Sequence, residues 1–232
     1  MKKLLLSILV IGLFVSSSSA SEMVKKQNKM RYQAVPASKA TLVQEGDSKA
    51  YCPVCGMTLP MFYKTNHAAK SVNGMKQYCS IHCLVEDKII NKADLSELKV
   101  VNNSDMKFIK AKDAFYVVGS SKPATMAMVS KYGFAKKDDA QKFAKANGGD
   151  VKTFDDVYAM VSGELKKESA MIAKRQKKME MMGGKIYGKM CKKTDKKFNS
   201  TAEAKTFIMK NKLCGELKGK KLQAVGIYLG RR

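Results

Sequence analysis

Beyond residue 15 the 232-residue chain contains no long apolar run, which excludes a bilayer-spanning helix from everything downstream. Acidic residues are scarce: 20 Asp and Glu stand against 44 Lys and Arg, a formal net charge of +24. Histidine is scarcer still, with only His67 and His82. No Cys-x-x-Cys-His occurs, which excludes covalent haem. No cysteine follows the first twenty residues closely, so nothing there accepts a lipid anchor.

What is present begins with an export signal. Lys2 and Lys3 precede the apolar run LLLSILVIGLFV (residues 4–15), and small residues follow at Ser18 and Ala20. This three-part pattern predicts a signal peptide over 1–20, cleaved after Ala20, and a soluble, periplasmic mature chain. The basic excess lies late, where residues 166–232 carry 20 Lys or Arg against 5 Asp or Glu. Such a surface often meets nucleic acid, but an exported protein does not. A solvated lysine-rich face is the plainest reading. An anionic membrane or an acidic partner protein comes second.

The pattern predicts an α+β fold. Residues 21–49 are polar without periodicity and read as a flexible linker. LPMFY (59–63) and HAAKSVNGMKQYC (67–79) read as strands, the second folded at Asn73-Gly74, where both residues tolerate positive φ. SIHCLVEDKII (80–90) reads as a helix with Ile81, Leu84 or Val85, and Ile89 on one side, and LKVV (98–101) as a strand. A similar order recurs with strands at 114–120 and 127–135, a helix at 136–149 and a strand at 150–154. Two tandem strand–strand–helix–strand units are therefore expected over 50–160. A helix capped by Thr153 and Asp156 leaves this domain as a connector (161–182) that ends at Gly183-Gly184. A small, basic, mostly helical C-terminal unit (183–232) follows. In it Ser200 and Glu203 form a second capping box, and Gly215 stops the helix after Cys214.

Six cysteines in an exported chain ordinarily mean disulfides, and that alternative stands for every pair. Four of them are clustered: Cys52 and Cys55 in YCPVCGM, Cys79 and Cys83 in YCSIHC. The first pair sits on a turn, and the second brackets a helix start, whose N-terminus favours the metal-binding thiolate. C-x2-C with C-x3-C thus offers up to four sulfurs, with Met57, Met75, His67 and His82 in reserve. Four thiolates suit structural zinc. A thiolate with the thioether of Met57 is a soft pair that suits Cu(I).

CPVCGM (52–57), QYCSIHCL (77–84), AFYVVGS (114–120), Met126, Phe134 and DDAQKFAKANGGDVKTFDDV (138–157) together resemble the NosL family of nitrous-oxide-reductase accessory proteins. The stretch from Cys55 to Cys83 also looks like the small YHS or TRASH metal-binding modules. The NosL resemblance implies an exported Cu(I) chaperone, not an enzyme, that supplies nitrous oxide reductase. It also implies tandem strand–strand–helix–strand units, and maps the family's Cys-x-Met pair onto Cys55 and Met57. Family members are commonly lipoproteins, and Cys52, Cys79 and Cys83 are extra thiols here.

The C-terminal unit faintly resembles the end helices of small c-type cytochromes, but Cys191-Lys192-Lys193-Thr194-Asp195 cannot hold haem. Cys191 and Cys214 are expected to form a disulfide, and the methionines of MEMMGG (179–184) to serve as packing. The reading is a periplasmic Cu(I) metallochaperone, with Cys55 and Met57 joined by Cys52, Cys79 or Cys83. Its partner is nitrous oxide reductase or another copper-accepting or copper-donating protein. A zinc-stabilised interaction module and a thiol–disulfide oxidoreductase using Cys52 and Cys55 are the alternatives.

Overall fold

The computed structural model describes residues 30–232; the expected signal peptide (1–20) and the first part of the expected linker lie outside the described residues. A turn sets the first sheet. His67–Ser71 (β1) and Gly74–Tyr78 (β2) pair antiparallel with Ser71 opposite Gly74, so the turn residues are Val72 and Asn73. Only Gly74 takes a positive φ, at +99°, as the left-handed residue closing such a turn. Ser96–Val101 (β3) pairs with the other edge of β1, and Phe108–Lys110 (β4) with β3, giving the order β2-β1-β3-β4. Between β2 and β3 runs the helix α1, Ile81–Ile89. Its inward side is Ile81, Leu84 and Val85, whereas Ile89 is exposed. With α1 ending there, Ile89 lies past the last turn that packs.

The second unit repeats this plan. Phe115–Val118 (β5) is central, flanked by Lys131–Phe134 (β6) and Asp150–Thr153 (β7), with α2 (Lys137–Asn147) in the β6–β7 connection. In both units the first strand is the middle one, and the strand after the helix adds to its free edge. The tandem α+β reading holds. β4 escapes sequence pattern because three residues, two half-buried and one exposed, are too few to show a period. Residues 59–63 were expected as a strand and instead lie in a 3-10 helix, Leu59–Thr65. Pro60 stands at its start, with φ preset for a helical turn and no N–H for a ladder. The sheets meet where Asn102 bridges to Gly133 and the Asn103 N–H donates to the Gly133 carbonyl (2.9 Å).

Residues 31–49, part of the expected linker, lie along this domain. Thr41 N–H donates to the Tyr63 hydroxyl (3.1 Å), Val43 N–H to Gln77 Oε1 (2.9 Å), and Lys64 N–H to the Gln33 carbonyl (3.0 Å). The main chain of the segment makes these bonds, and its side chains add more: Gln33 Nε2 donates to the Pro123 and Ala124 carbonyls (3.2 Å each), and Gln44 Oε1 accepts from the Gln77 N–H (2.9 Å).

One 37-residue helix, α3 (Phe154–Met190), links both halves. Its start carries the expected capping box, Thr153 and Asp156 each bonding the other's backbone N–H. Val157, Val161 and Leu165 bury one face of it against the sheets. The predicted stop at Gly183-Gly184 is corrected: the helix runs through both. A Cβ at Gly183 would lie 2.0 Å from the Ala224 carbonyl oxygen of α5 (Gly219–Leu229), so this glycine is a point of close helix contact, not a terminus. Between them stands α4, Thr201–Lys210, capped by the Ser200 hydroxyl, which accepts from the Glu203 N–H (3.1 Å). Glu203 returns its bond to Asn199 N–H rather than to Ser200, so the box is displaced by one residue. α4 also ends at Lys210, several residues before Gly215. A disulfide joins Cys191, at the end of α3, to Cys214. Tyr187, Phe198, Ile208, Val225 and Leu229 form the core there. Residues 31–232 make one compact unit, and no described helix is long and apolar enough to cross a membrane.

Candidate metal centre

The loop Tyr51–Thr58 is closed by a bridge between its ends, by the Cys52 N–H on the Met57 carbonyl (2.9 Å) and by the Gly56 N–H on the Cys52 carbonyl (2.8 Å). These bonds turn Cys52 and Cys55 inward. Gly56 is obligatory twice over: its φ is +71°, and a Cβ would sit 2.4 Å from Thr201 Cγ2. Cys79 follows β2 and Cys83 lies in the first turn of α1. The Thr65 hydroxyl donates to the Cys79 carbonyl (2.8 Å), fixing that corner.

These pieces bring four buried, unbridged cysteines together, with all four Sγ atoms within 4.8 Å of one another. Cys55 and Cys79 are 3.4 Å apart, Cys79 and Cys83 3.7 Å. Four sulfurs held about 2.3 Å from one ion would stand about 3.8 Å apart, so the cluster needs little adjustment to take a metal. Its electrostatics are those of a site that surrenders one proton first. Burial opposes ionisation of Cys52, but S–H donation from Cys55, Cys79 and Cys83 outweighs it and holds this thiol well below its usual range. Burial, then the sulfurs of Cys52 and Cys55, push Cys79 well up. Hydrogen bonding to Cys52 and Cys55, ahead of burial, does the same to Cys83. The expected acidifying effect of the helix start is thus overridden at Cys79 by burial and then the neighbouring sulfurs, and at Cys83 by the neighbouring sulfurs and then burial.

A family model for NosL matches residues 43–162. The chain belongs to the NosL family. Among solved structures, the crystal structure of the copper chaperone NosL from Shewanella denitrificans is 25% identical, with 52% of this chain and 96% of that chain covered and a TM-score of 0.40. No curated protein matches. The NosL segment contains all four clustered cysteines, Met57 and both histidines.

Neither histidine joins the thiols. His67 Nδ1–H donates to the Thr65 carbonyl (3.1 Å), and its Nε2 accepts from the Tyr116 hydroxyl (3.1 Å), on whose ring it stacks. Burial lowers its pKa to about 4, so it is neutral. His82 lies with Nδ1 3.1 Å from Glu168 of α3 and Nε2 3.3 Å from Glu86, the latter an ion pair without hydrogen-bond alignment. Burial alone would lower its pKa; the two carboxylates outweigh that and raise it to about 9. His82 is a cation clamping α1 to α3.

Met57 is half-buried and shares with Cys55 the wall of a cavity of about 470 Å³, to which Met126 and Met179 also contribute. Met126 stands in a left-handed backbone conformation (φ +56°) and Met179 comes from α3. Met128 is exposed, and its sulfur accepts from Arg175 (3.1 Å). The sequence pattern assigns the α3 methionines to packing and carries no signal for Lys205 or Gln223, which lie outside the NosL segment. Lys205 of α4 is buried with its ammonium on the Gly56 carbonyl (2.6 Å), and Gln223 of α5 donates to the Cys55 carbonyl (2.8 Å). No local motif marks either residue; only the fold brings them beside the cysteine loop.

Proposed function

We propose that this NosL-family protein is an exported Cu(I)-binding metallochaperone, a carrier rather than an enzyme. The observation that carries this reading is the placement of Cys55. It belongs to the four-thiol cluster and also faces the cavity that Met57, Met126 and Met179 line. A soft ion held by buried thiolates needs an accessible donor for exchange with the next protein, and thiolate with thioether is the set that prefers Cu(I). The copper chaperone from Shewanella denitrificans is consistent with this use of the family.

Delivery is proposed to nitrous oxide reductase or another copper-accepting or copper-donating periplasmic protein. The basic residues after 165 supply a surface for an acidic face of that partner or for an anionic membrane. The deciding experiment is an anaerobic titration of reduced residues 21–232 with Cu(I) against a coloured chelator, repeated on Cys55→Ser and Met57→Leu. Tight binding that weakens in both variants is expected. Loss of the competition by wild-type protein, with zinc held tightly, would replace the carrier reading by a zinc-stabilised module. The mutual closeness of all four sulfurs specifically favours that second reading.

A further inference from the structure

We propose that Lys205 is the counter-cation of the four-thiol centre, so that the C-terminal helical unit is a working part of the metal site. The inference rests on the metal-binding reading of the thiols and extends it beyond the NosL segment. Lys205 is 1% exposed. Its Nζ donates to the Gly56 carbonyl (2.6 Å), Gln223 Oε1 (2.9 Å) and Thr58 Oγ1 (3.1 Å), and lies 4.2 Å from the centre of the Tyr51 ring. Every one of these partners is neutral. Among the described residues no carboxylate pairs with it, although nine other ion pairs form.

A buried ammonium without an anion is strongly disfavoured, and proteins keep one where a charge nearby requires it. The loop that Lys205 grips is the loop that carries Cys52 and Cys55. Burial pulls the Lys205 pKa down to about 7, and ionised Cys55, Cys52 and Cys79 each act against it and favour the charged lysine. The surrounding backbone is shaped for the side chain: at Gly226 of α5 a Cβ would stand 2.4 Å from Lys205 Cγ. Gln223 accepts from Lys205 and donates to the Cys55 carbonyl, so α4 and α5 grip the loop together.

The chemistry follows from charge. One Cu(I) on two thiolates carries a net charge of −1, and a divalent ion on four carries −2. A fixed cation behind the loop stabilises either bound state, and more so the more anionic one. Lys205 is therefore a positioning residue that acts through the loop and through its charge, not a ligand.

The test compares Lys205→Arg, Lys205→Gln and Lys205→Met in the full chain, with folding checked by thermal melting. Affinity is read with Cu(I) against a competing chelator and with Cd(II) by its thiolate absorption. A charge role predicts that Gln and Met both weaken binding by roughly ten- to a hundredfold while Arg retains it. Wild-type affinity in Lys205→Gln, which keeps a hydrogen-bond donor without the charge, would overturn the proposal. If these variants do not fold, Thr58→Asp places a carboxylate beside Nζ and neutralises the cation where it stands. A similar loss is then expected, and unchanged affinity overturns the proposal. Wild-type protein that holds Cd(II) but not Cu(I) would sink the copper reading alone, with the lysine still decided on Cd(II). Protein that holds neither would sink both.

Discussion

His67 and Lys205 illustrate how far a residue's chemistry depends on what surrounds it. His67 stood beside the cysteines as a potential ligand because histidine is a common metal donor and only two exist. Its two ring nitrogens are instead spent on Thr65 and Tyr116, and burial keeps the ring neutral. This has a pH consequence. The folded pKa, about 4, lies below the ordinary 6.5, so the unfolded chain binds the proton first as pH falls. The contribution is complete above pH 6.5 and is lost on descending through the window towards 4. Between pH 7 and about pH 4.5 the wild type should lose roughly 2–3 kcal/mol through this residue. Urea unfolding at both values, beside His67→Gln, checks it: the variant should show a shallower pH dependence by about that amount. Equal slopes would mean that His67 does not stay neutral. At this scale the cysteines were legible, because four soft donors in two short motifs are rare. Lys205 was not, because one lysine among 44 basic residues carries no mark of burial.

Elements were legible where period and punctuation agree. The hairpin at Asn73-Gly74, the helix after Ser80 and the doubled strand order all come from such agreement. Punctuation without period misled. Gly183-Gly184 reads as a helix stop, yet α3 continues, because these glycines answer to a neighbouring helix rather than to their own backbone. Two glycines of this helix should therefore respond oppositely to alanine. Gly188 is exposed with nothing within 4 Å of its would-be Cβ, so Gly188→Ala should stabilise the protein by up to about 1 kcal/mol through helix propensity. Gly183→Ala places a methyl into the Ala224 backbone and should destabilise by about 1–3 kcal/mol, as overpacking does. Chemical denaturation of the two single variants reads both. Stabilisation by Gly183→Ala would show that α3 and α5 are not in the contact described.

At the scale of the whole molecule, the cysteine loop is flanked on two sides: by the end of β2 and the start of α1, which bring Cys79 and Cys83 against it, and by α4 and α5, which grip it through Lys205 and Gln223. Whatever keeps the C-terminal helices in place therefore matters to the site. Besides single hydrogen bonds such as Ser48 with Thr206 (2.8 Å), two larger ties are the disulfide between Cys191 and Cys214 and the packing of α3 on α5 around Gly183. Closing a segment of this length in the unfolded chain is worth about 3 kcal/mol, so Cys191→Ser with Cys214→Ser should lower the unfolding free energy by about that much. Metal affinity at 25 °C should nevertheless stay near that of the wild type, because the disulfide restrains the unfolded chain while the α3–α5 packing keeps Lys205 under the loop. Denaturation and metal titration on the same double variant separate the two ties. A fall in affinity that tracks the fall in stability would mean that the disulfide, and not helix packing, holds the C-terminal unit against the cysteine loop. Under strongly reducing conditions such a protein would then lose its metal site together with its crosslink.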